Sequence, residues 1–167
     1  MIDRMMVLRG SKVGQDIVRQ VNAYTSQAEN ELRGQGAALQ NDVKAFQQQS
    51  AILSADLKAK KMRDLEARRA GLQAQVQKRQ TLIQGGFLKA REQVLTALGP
   101  IVQGIMVEKG ANILLDRNAV MLGARDLDVT PLAIQRLDQK MPSIKVELVA
   151  PPPGVLQQQQ QGSPPPQ

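Results

Sequence analysis

The stretch QSAILSADL, residues 49–57, divides one long helical pattern into two. On either side of it, apolar residues recur every three or four positions, which places a narrow apolar stripe along a helix. Ser54 is followed two residues later by Asp56. This combination is typical of a helix start, where a side-chain oxygen accepts a hydrogen bond from a free backbone N–H group. We therefore predict an antiparallel helical hairpin whose tip lies near residues 53–55.

The two apolar stripes define the predicted partners in this hairpin. The outgoing stripe consists of Val13, Ile17, Val21, Tyr24, Ala28, Leu32, Leu39, Val43, Phe46, Leu53 and Leu57. The returning stripe consists of Leu65, Leu72, Val76, Ile83, Phe87, Ala90, Val94, Leu98, Ile101 and Ile105. A helix of this length is unstable alone in water, so its stripe needs a partner. A hairpin within one chain is favoured over the alternative, a single uninterrupted helix paired with a second chain.

Glycine and proline residues are expected to interrupt or end the returning helix. Gly99-Pro100 predicts a kink or a new helix, because proline removes an intrahelical hydrogen bond. Gly110 is expected to close the last segment as the residue after the C-cap. Two close pairs of glycines also lie inside the helical pattern, and each glycine destabilises a helix by about 1 kcal/mol relative to alanine. They mark either a closely packed level or tolerated substitutions: Gly34, Gly36, Gly85 and Gly86.

Short apolar stretches at the two ends of the chain predict a small β body. MIDRMMVLRG, residues 1–10, and LLDRNAVMLG, residues 114–123, share an Asp-Arg pair and a closing glycine. Residues 113–115 and 119–122 are predicted as paired strands, and residues 144–148 alternate apolar and polar side chains as a half-buried strand does.

The predicted fold class is α+β and mostly helical, with a long antiparallel helical hairpin projecting from the β body as a coiled-coil arm. Thr130-Pro131, an N-cap followed by a first-turn proline, opens a short helix within the body. The predicted parts are an N-terminal body strand at 1–10, the arm at 11–109, body strands and the short helix at 110–149, and a disordered Pro/Gln-rich tail at 150–167.

Composition narrows the possible functions. The 167-residue chain carries a net charge of +7, so nucleic acid, lipid headgroups or acidic proteins would attract it. Histidine and cysteine are both absent, which removes the commonest general base, the thiol nucleophile and most zinc ligand sets. No phosphate-binding P-loop motif is present. We therefore predict no catalytic, cofactor-binding or metal-binding residues, and a protein that is not an enzyme.

Basic residues gather near the predicted tip. Residues 55–80 contain eight of them against three acidic residues, and we call the eight the basic cluster. Its members are Lys58, Lys60, Lys61, Arg63, Arg68, Arg69, Lys78 and Arg79. The cluster is either an ordinary solvated helix surface or an electropositive site for anionic clients. Nucleic acid is a less favoured ligand, because the segment has no aromatic side chains on which bases could stack.

The chain resembles the Skp/OmpH family of periplasmic chaperones. The resemblance is carried by IDRMMVLRGSKVGQDI at residues 2–17 and GANILLDRNAVMLGARDLDVTPLAIQRLD at residues 110–138, and it covers about residues 2–140. It implies a homotrimer whose arms enclose unfolded outer-membrane proteins in the periplasm and prevent their aggregation without ATP. Other partners to consider are anionic lipid and lipopolysaccharide. The alternative is a basic coiled-coil protein that binds nucleic acid or anionic lipid surfaces.

The body is the expected site of trimer assembly. One protomer offers too few strands to bury their edges, and small isolated sheets are marginal in water. We predict a shared core formed by Val7, Ile113, Leu115, Val120, Leu122, Ile134 and Leu137. Family members carry a secretion signal and further strand residues before the equivalent of Ile2-Asp3. This sequence begins after them, so its first strand is expected to be short and its export route is not specified.

Overall fold

The structure of the protein, a computed structural model, describes residues 1–152 and is built mainly from helices. The helices are α1 (Arg4–Gly10), α2 (Lys12–Gln49), α3 (Ala55–Glu108) and α4 (Thr130–Lys140), with single 3-10 turns at Arg117–Ala119 and Arg125–Leu127. The mostly helical fold with long helices is therefore confirmed. At about 1.5 Å per residue, α3 is roughly 80 Å long.

Helices α2 and α3 run antiparallel and form the arm. Arg79 pairs with Glu31, and Arg68 pairs with Asp42. As the residue number rises on α2, the number of its partner on α3 falls, which is the pattern of an antiparallel hairpin. At the tip, Ser54 is the N-cap of α3, and its side-chain oxygen accepts a hydrogen bond from the backbone N–H of Leu57 at 3.4 Å. Ser54 thus has the capping role that its sequence position predicts.

Helix α3 continues through Pro100, so the new helix considered at that position does not form. Leu98 and Ile101, which flank the proline, are buried at 4% and 8% exposure. We attribute the continuity to this packing, which holds both sides of the proline against one core. The helix ends where the sequence predicts, because Gly110 has a φ of +63°, a conformation that favours glycine.

The hydrophobic core lies at the root of the arm, where all four helices meet. Its buried apolar residues are Ile2, Val7, Val13, Ile17, Ala90, Val94, Leu98, Ile101, Ile105, Val129, Ala133, Leu137 and Val146. Along the arm, Ala28 is the last buried residue of α2 and Gly85 is the first of α3. The distal arm, residues 29–84, therefore extends from the core as two helices exposed to solvent.

The predicted β body is wrong for residues 1–152, which contain no regular strand. Residues 4–10 of the predicted N-terminal strand form α1 instead. Within the described residues, β pairing is limited to one parallel bridge between Ile2 and Asp116. The Ile2 N–H donates to Leu115 O at 2.9 Å, and the Ile2 carbonyl accepts from Arg117 N at 2.8 Å.

The aspartates of the two Asp-Arg sequences explain why β pairing stops after one bridge. The Asp3 side chain accepts from Met6 N at 2.8 Å and starts α1. The Asp116 side chain accepts from Asn118 N at 3.1 Å and starts a 3-10 turn. Each carboxylate thus caps a helical turn directly after the paired residue. The predicted return strand at 119–122 is lost because this turn occupies its start.

The last predicted strand, residues 144–148, is also not part of a sheet. It belongs to a non-helical segment that follows α4 and lies against α2 and α3. We call residues 143–151 the strap. Side chains of α2, and not a neighbouring strand, bind its backbone. The predicted disordered tail lies almost entirely outside the described residues.

Two of the four glycines noted in the sequence lie directly beneath the strap. A Cβ atom on Gly86 would lie 2.4 Å from the Glu147 carbonyl oxygen, and one on Gly85 would lie 2.0 Å from the Val149 carbonyl oxygen. A Cβ on Gly34 would meet nothing within 4 Å. Glycine is therefore required at residues 85 and 86 for close backbone approach, whereas Gly34 is a tolerated substitution in the helix.

Replacement of glycine by alanine is expected to have opposite effects on stability at Gly86, beneath the strap, and at Gly71, in the distal arm. Gly86→Ala should lower the free energy of unfolding by about 2 kcal/mol, because the strap backbone must move. Gly71→Ala should raise it by about 1 kcal/mol, since nothing lies within 4 Å of its Cβ and alanine favours the helix. Urea unfolding at one protein concentration measures both. Equal effects would contradict the close approach of the strap.

Candidate functional site

The basic cluster lies on the tip-proximal half of α3. Seven of its eight side chains are exposed, and Lys58 is half-buried. Two members are engaged in the hairpin itself: Arg68 lies 2.7 Å from a carboxylate oxygen of Asp42, and Arg79 lies 2.9 Å from one of Glu31. These two arginines connect α3 to α2, so they are less available to an anionic ligand than the sequence alone implies.

The other six members form no ion pair within residues 1–152. They are Lys58, Lys60, Lys61, Arg63, Arg69 and Lys78. Exposed apolar side chains lie among and beside them: Ile52 is 85% exposed, and Leu57 and Met62 are each 51% exposed. The distal arm therefore presents positive charge and apolar surface together, which suits many weak contacts with a flexible acidic chain.

A cleft between α2 and α3 lies closer to the root. Its volume is about 340 Å³, and its apolar lining includes Val21, Ala28, Leu32, Val76, Ile83 and Phe87. Arg79 and Glu29 also border it. All six apolar residues belong to the two stripes, but periodicity alone does not show that the stripes leave this gap between them.

A second apolar surface is exposed on the body. Leu122 is 93% exposed, Ile113 is 76% exposed and Leu115 is 52% exposed. Sequence reasoning missed two further members, Met121 and Leu127, although Met121 adjoins Leu122. We call these five residues the body surface. Five large exposed apolar side chains within one segment, residues 113–127, are typical of a protein–protein contact.

The predicted trimer residues do not all lie on this surface. Val7 and Leu137 are fully buried in the core of a single protomer. Val120 and Ile134 are half-buried, and the Ile134 side chain packs against the same core. Only Ile113, Leu115 and Leu122 of the seven are exposed and available to another subunit.

Hydrogen bonds hold the first residues of the chain between two body segments. The Met1 ammonium donates to Leu127 O at 2.5 Å, and Val129 N donates to Met1 O at 3.0 Å. On the next residues, Asp3 N donates to Thr130 Oγ1 at 2.9 Å. Thr130 is the first residue of α4 and not its N-cap, which is Val129. The predicted cap is thus displaced by one residue, leaving the threonine hydroxyl to bind the N-terminal segment.

Two carboxylates in this region have lowered pKa values. Hydrogen bonds from Thr130, with further contributions from Arg117, lower the pKa of Asp128. The backbone N–H of Asn118, followed by the Arg4 side chain, lowers the pKa of Asp116. Both groups therefore favour the folded state when they are ionised.

The body is expected to lose stability in acid. A carboxylate whose pKa is lowered by folding stabilises the protein above its unfolded pKa, about 3.9 for aspartate, and this contribution is lost as pH falls through the folded pKa. Asp128→Asn should therefore flatten the decrease in Tm between pH 5 and pH 3, because asparagine does not titrate. Thermal unfolding of the parent and this variant in parallel measures the difference. Identical slopes would contradict a role for this carboxylate.

Within residues 1–152, no helix has both the length and the apolar character needed to cross a membrane. The same residues contain no group of three or more acidic side chains placed to hold a metal ion. The candidate surfaces described above are the arm, its cleft and the body surface.

Comparison with known proteins gives concordant results. The OmpH-like outer membrane protein family matches residues 1–137. A crystal structure from Caulobacter crescentus, of a candidate OmpH-like outer membrane chaperone, superposes with a TM-score of 0.84 at 24% sequence identity. The superposition covers 88% of this chain and 87% of that chain, which establishes similarity of fold. No curated protein is significantly similar in sequence.

Proposed function

Because the chain belongs to the OmpH-like outer membrane protein family, we propose that it is an ATP-independent chaperone for unfolded outer-membrane β-barrel proteins. It holds its client between helical arms in the periplasm and prevents aggregation. The client is held without a covalent step, and release needs no chemical reaction.

The distal arm is the observation that carries this proposal. It extends beyond the last buried residues of both helices and presents six basic side chains that form no ion pair within residues 1–152, together with exposed apolar ones. An unfolded β-barrel chain alternates polar and apolar residues, so no single site on it binds deeply. Many weak contacts along a long surface retain such a chain, because simultaneous engagement multiplies their effect.

Assembly into a homotrimer provides the enclosure. The body surface of one protomer exposes Ile113, Leu115, Met121, Leu122 and Leu127, and covering it with other subunits removes this apolar area from water. The arms would then project from a common base and surround one client. The contact is expected to be mainly apolar, because regular strand edges are absent from residues 1–152.

Anionic lipid and lipopolysaccharide remain partners to test, since a basic arm attracts them by the same charge. Family membership does not favour the alternative of a nucleic-acid-binding coiled coil. The two functions differ in their signature, because duplex binding by a basic surface falls steeply with salt.

Dilution of a urea-unfolded β-barrel protein tests the proposed function. An equimolar trimer should suppress the light scattering of the client by at least about half without nucleotide, because exposed strands are kept apart. Addition of ATP should change nothing. Undiminished client aggregation, combined with salt-dependent binding of duplex DNA, would overturn the proposal in favour of the alternative.

A further inference from the structure

The strap lies beyond the part of the chain that the family model matches, which ends at residue 137. It leaves α4 after Met141 and follows the arm away from the body. Val146 is fully buried, although the strap itself is neither a helix nor a strand. An irregular segment placed against two helices in this way must satisfy its backbone groups by other means.

Side chains on one face of α2 form hydrogen bonds with the strap backbone. Gln20 Nε2 donates to Ile144 O at 2.6 Å, and Val146 N donates to Gln20 Oε1 at 2.9 Å. The Tyr24 hydroxyl donates to Val146 O at 3.1 Å, and Ile144 N donates to Asp16 Oδ2 at 3.4 Å. The Gln20 amide thus binds the carbonyl of one residue and the N–H of the second residue after it, as a neighbouring β-strand does. Every one of these bonds is made to the strap backbone.

Helix α3 forms the opposite wall of this groove. The strap backbone lies so close to Gly85 and Gly86 that no side chain would fit at either position. At the rim, Lys89 Nζ lies 2.7 Å from a carboxylate oxygen of Glu147, and both side chains are about half-exposed. An exposed pair of this kind contributes little. Recognition in the groove therefore depends on an extended backbone and on buried apolar side chains, and not on a particular charge.

We propose that the groove formed by Asp16, Gln20, Tyr24, Gly85 and Gly86 is an extended-peptide site, and that a client strand occupies it when the strap is displaced. The strap fills the site in cis and carries the pattern that such a client presents. Its residues 144–148 alternate apolar and polar side chains, as a transmembrane β-strand does. The identity of the client rests on the proposed function, whereas the site itself rests on the strap contacts.

The tether between α4 and the strap controls access to the site. A segment attached to its own binding site has an effective concentration in the millimolar range, so a dilute free peptide cannot compete with it. A client already held along the arm reaches a comparable local concentration. The strap therefore restricts the site to clients that the arm has captured.

The first test uses the full chain with Val146→Asp, which places a charge at a fully buried position and releases the strap. The probe is a fluorescein-labelled peptide of sequence SIKVELVAPP, copied from residues 143–152. Fluorescence anisotropy should show saturable binding to this variant at least about 10-fold tighter than to the parent, because only the variant has an open groove. Equal binding to both, or no binding to a folded variant, would overturn the site.

Matched changes identify the groove as the binding site. In the Val146→Asp background, Gln20→Ala should lower the affinity for the probe by about 10-fold. Gln40 is an exposed glutamine on the same helix, and Gln40→Ala should leave the affinity unchanged. The probe can also be N-methylated at the valine that corresponds to Val146. This change should lower the affinity by a similar factor, since it removes the N–H group that donates to Gln20. Indifference to these changes would show that the peptide binds elsewhere.

Hydrogen exchange of the unaltered protein provides a test that does not depend on any variant. An unfolded β-barrel client should accelerate exchange of the Val146 N–H, because the client displaces the strap from Gln20. Unchanged exchange in the presence of a bound client would overturn client access. Suppression of client aggregation without peptide binding would likewise reject the site and leave the proposed chaperone function standing.

Discussion

Replacement of Ile113 and Leu115 by aspartate is expected to convert the assembled protein into single chains of 18.3 kDa. Both side chains are exposed in the protomer, at 76% and 52%, so their replacement should leave the protomer folded. In a trimer they would be covered, and each buried unpaired carboxylate costs on the order of 3 kcal/mol. Since about 1.4 kcal/mol is tenfold in affinity, one substitution raises the dissociation constant about 100-fold and the two together about 10,000-fold.

Light scattering coupled to size-exclusion chromatography measures this change directly. Ile52→Asp is the matched control, because Ile52 is 85% exposed at the opposite end of the molecule. It should leave the mass of the assembly unaltered. Loss of assembly should also remove client protection, since separate arms cannot enclose a chain. A double variant that keeps the mass of the parent would show that the body surface is not the subunit contact.

Reversal of charge in the basic cluster is expected to slow client capture while leaving the assembly intact. Lys61, Arg63 and Arg69 are suitable for replacement by glutamate, because they are exposed and lack ion pairs within residues 1–152. Arg68 and Arg79 are left unchanged, since their pairing with α2 would confound the result. The capture rate of an acidic unfolded β-barrel client should fall by about 10-fold at low salt.

The control reverses three exposed basic residues near the root, Arg9, Lys12 and Lys140, and so changes the net charge by the same amount. It should affect capture far less, because electrostatic attraction decays over the Debye length, about 30 Å at 0.01 M salt, and the root is at the other end of the arm from Lys61, Arg63 and Arg69. Stopped-flow fluorescence of a labelled client measures the rate. The defect of the arm variant should diminish as salt rises. Equal defects in both variants would mean that overall charge, and not the basic cluster, guides capture.

The sequence by itself determined the features that depend on local interactions. Apolar periodicity predicted long helices, because a helical stripe is a property of neighbouring turns. Ser54 and Gly110 were predicted as helix boundaries because capping involves only a few adjacent residues. The motifs at 2–17 and 110–138 also indicated the family that matches residues 1–137.

The β body was predicted incorrectly because strand pairing competes with capping at the same residues. Asp3 and Asp116 each lie beside a paired position and each start a helical turn. Both outcomes satisfy the same backbone groups, so the sequence pattern does not choose between them. The structure combines them, with one bridge at Ile2 followed immediately by two capped turns.

Only the tertiary structure decided the roles of residues that act across long separations in sequence. Val7 and Ile113 were predicted for one shared core, yet one is fully buried in the protomer and the other is exposed. Gln20 binds a strap 124 residues away, and Gly86 lies beneath that strap. These contacts depend on where the chain returns after α4, and hydrophobic period or composition contains no information about that path. Local sequence therefore determined the helices and their ends, whereas the fold of the whole chain determined which surfaces remain open to a partner.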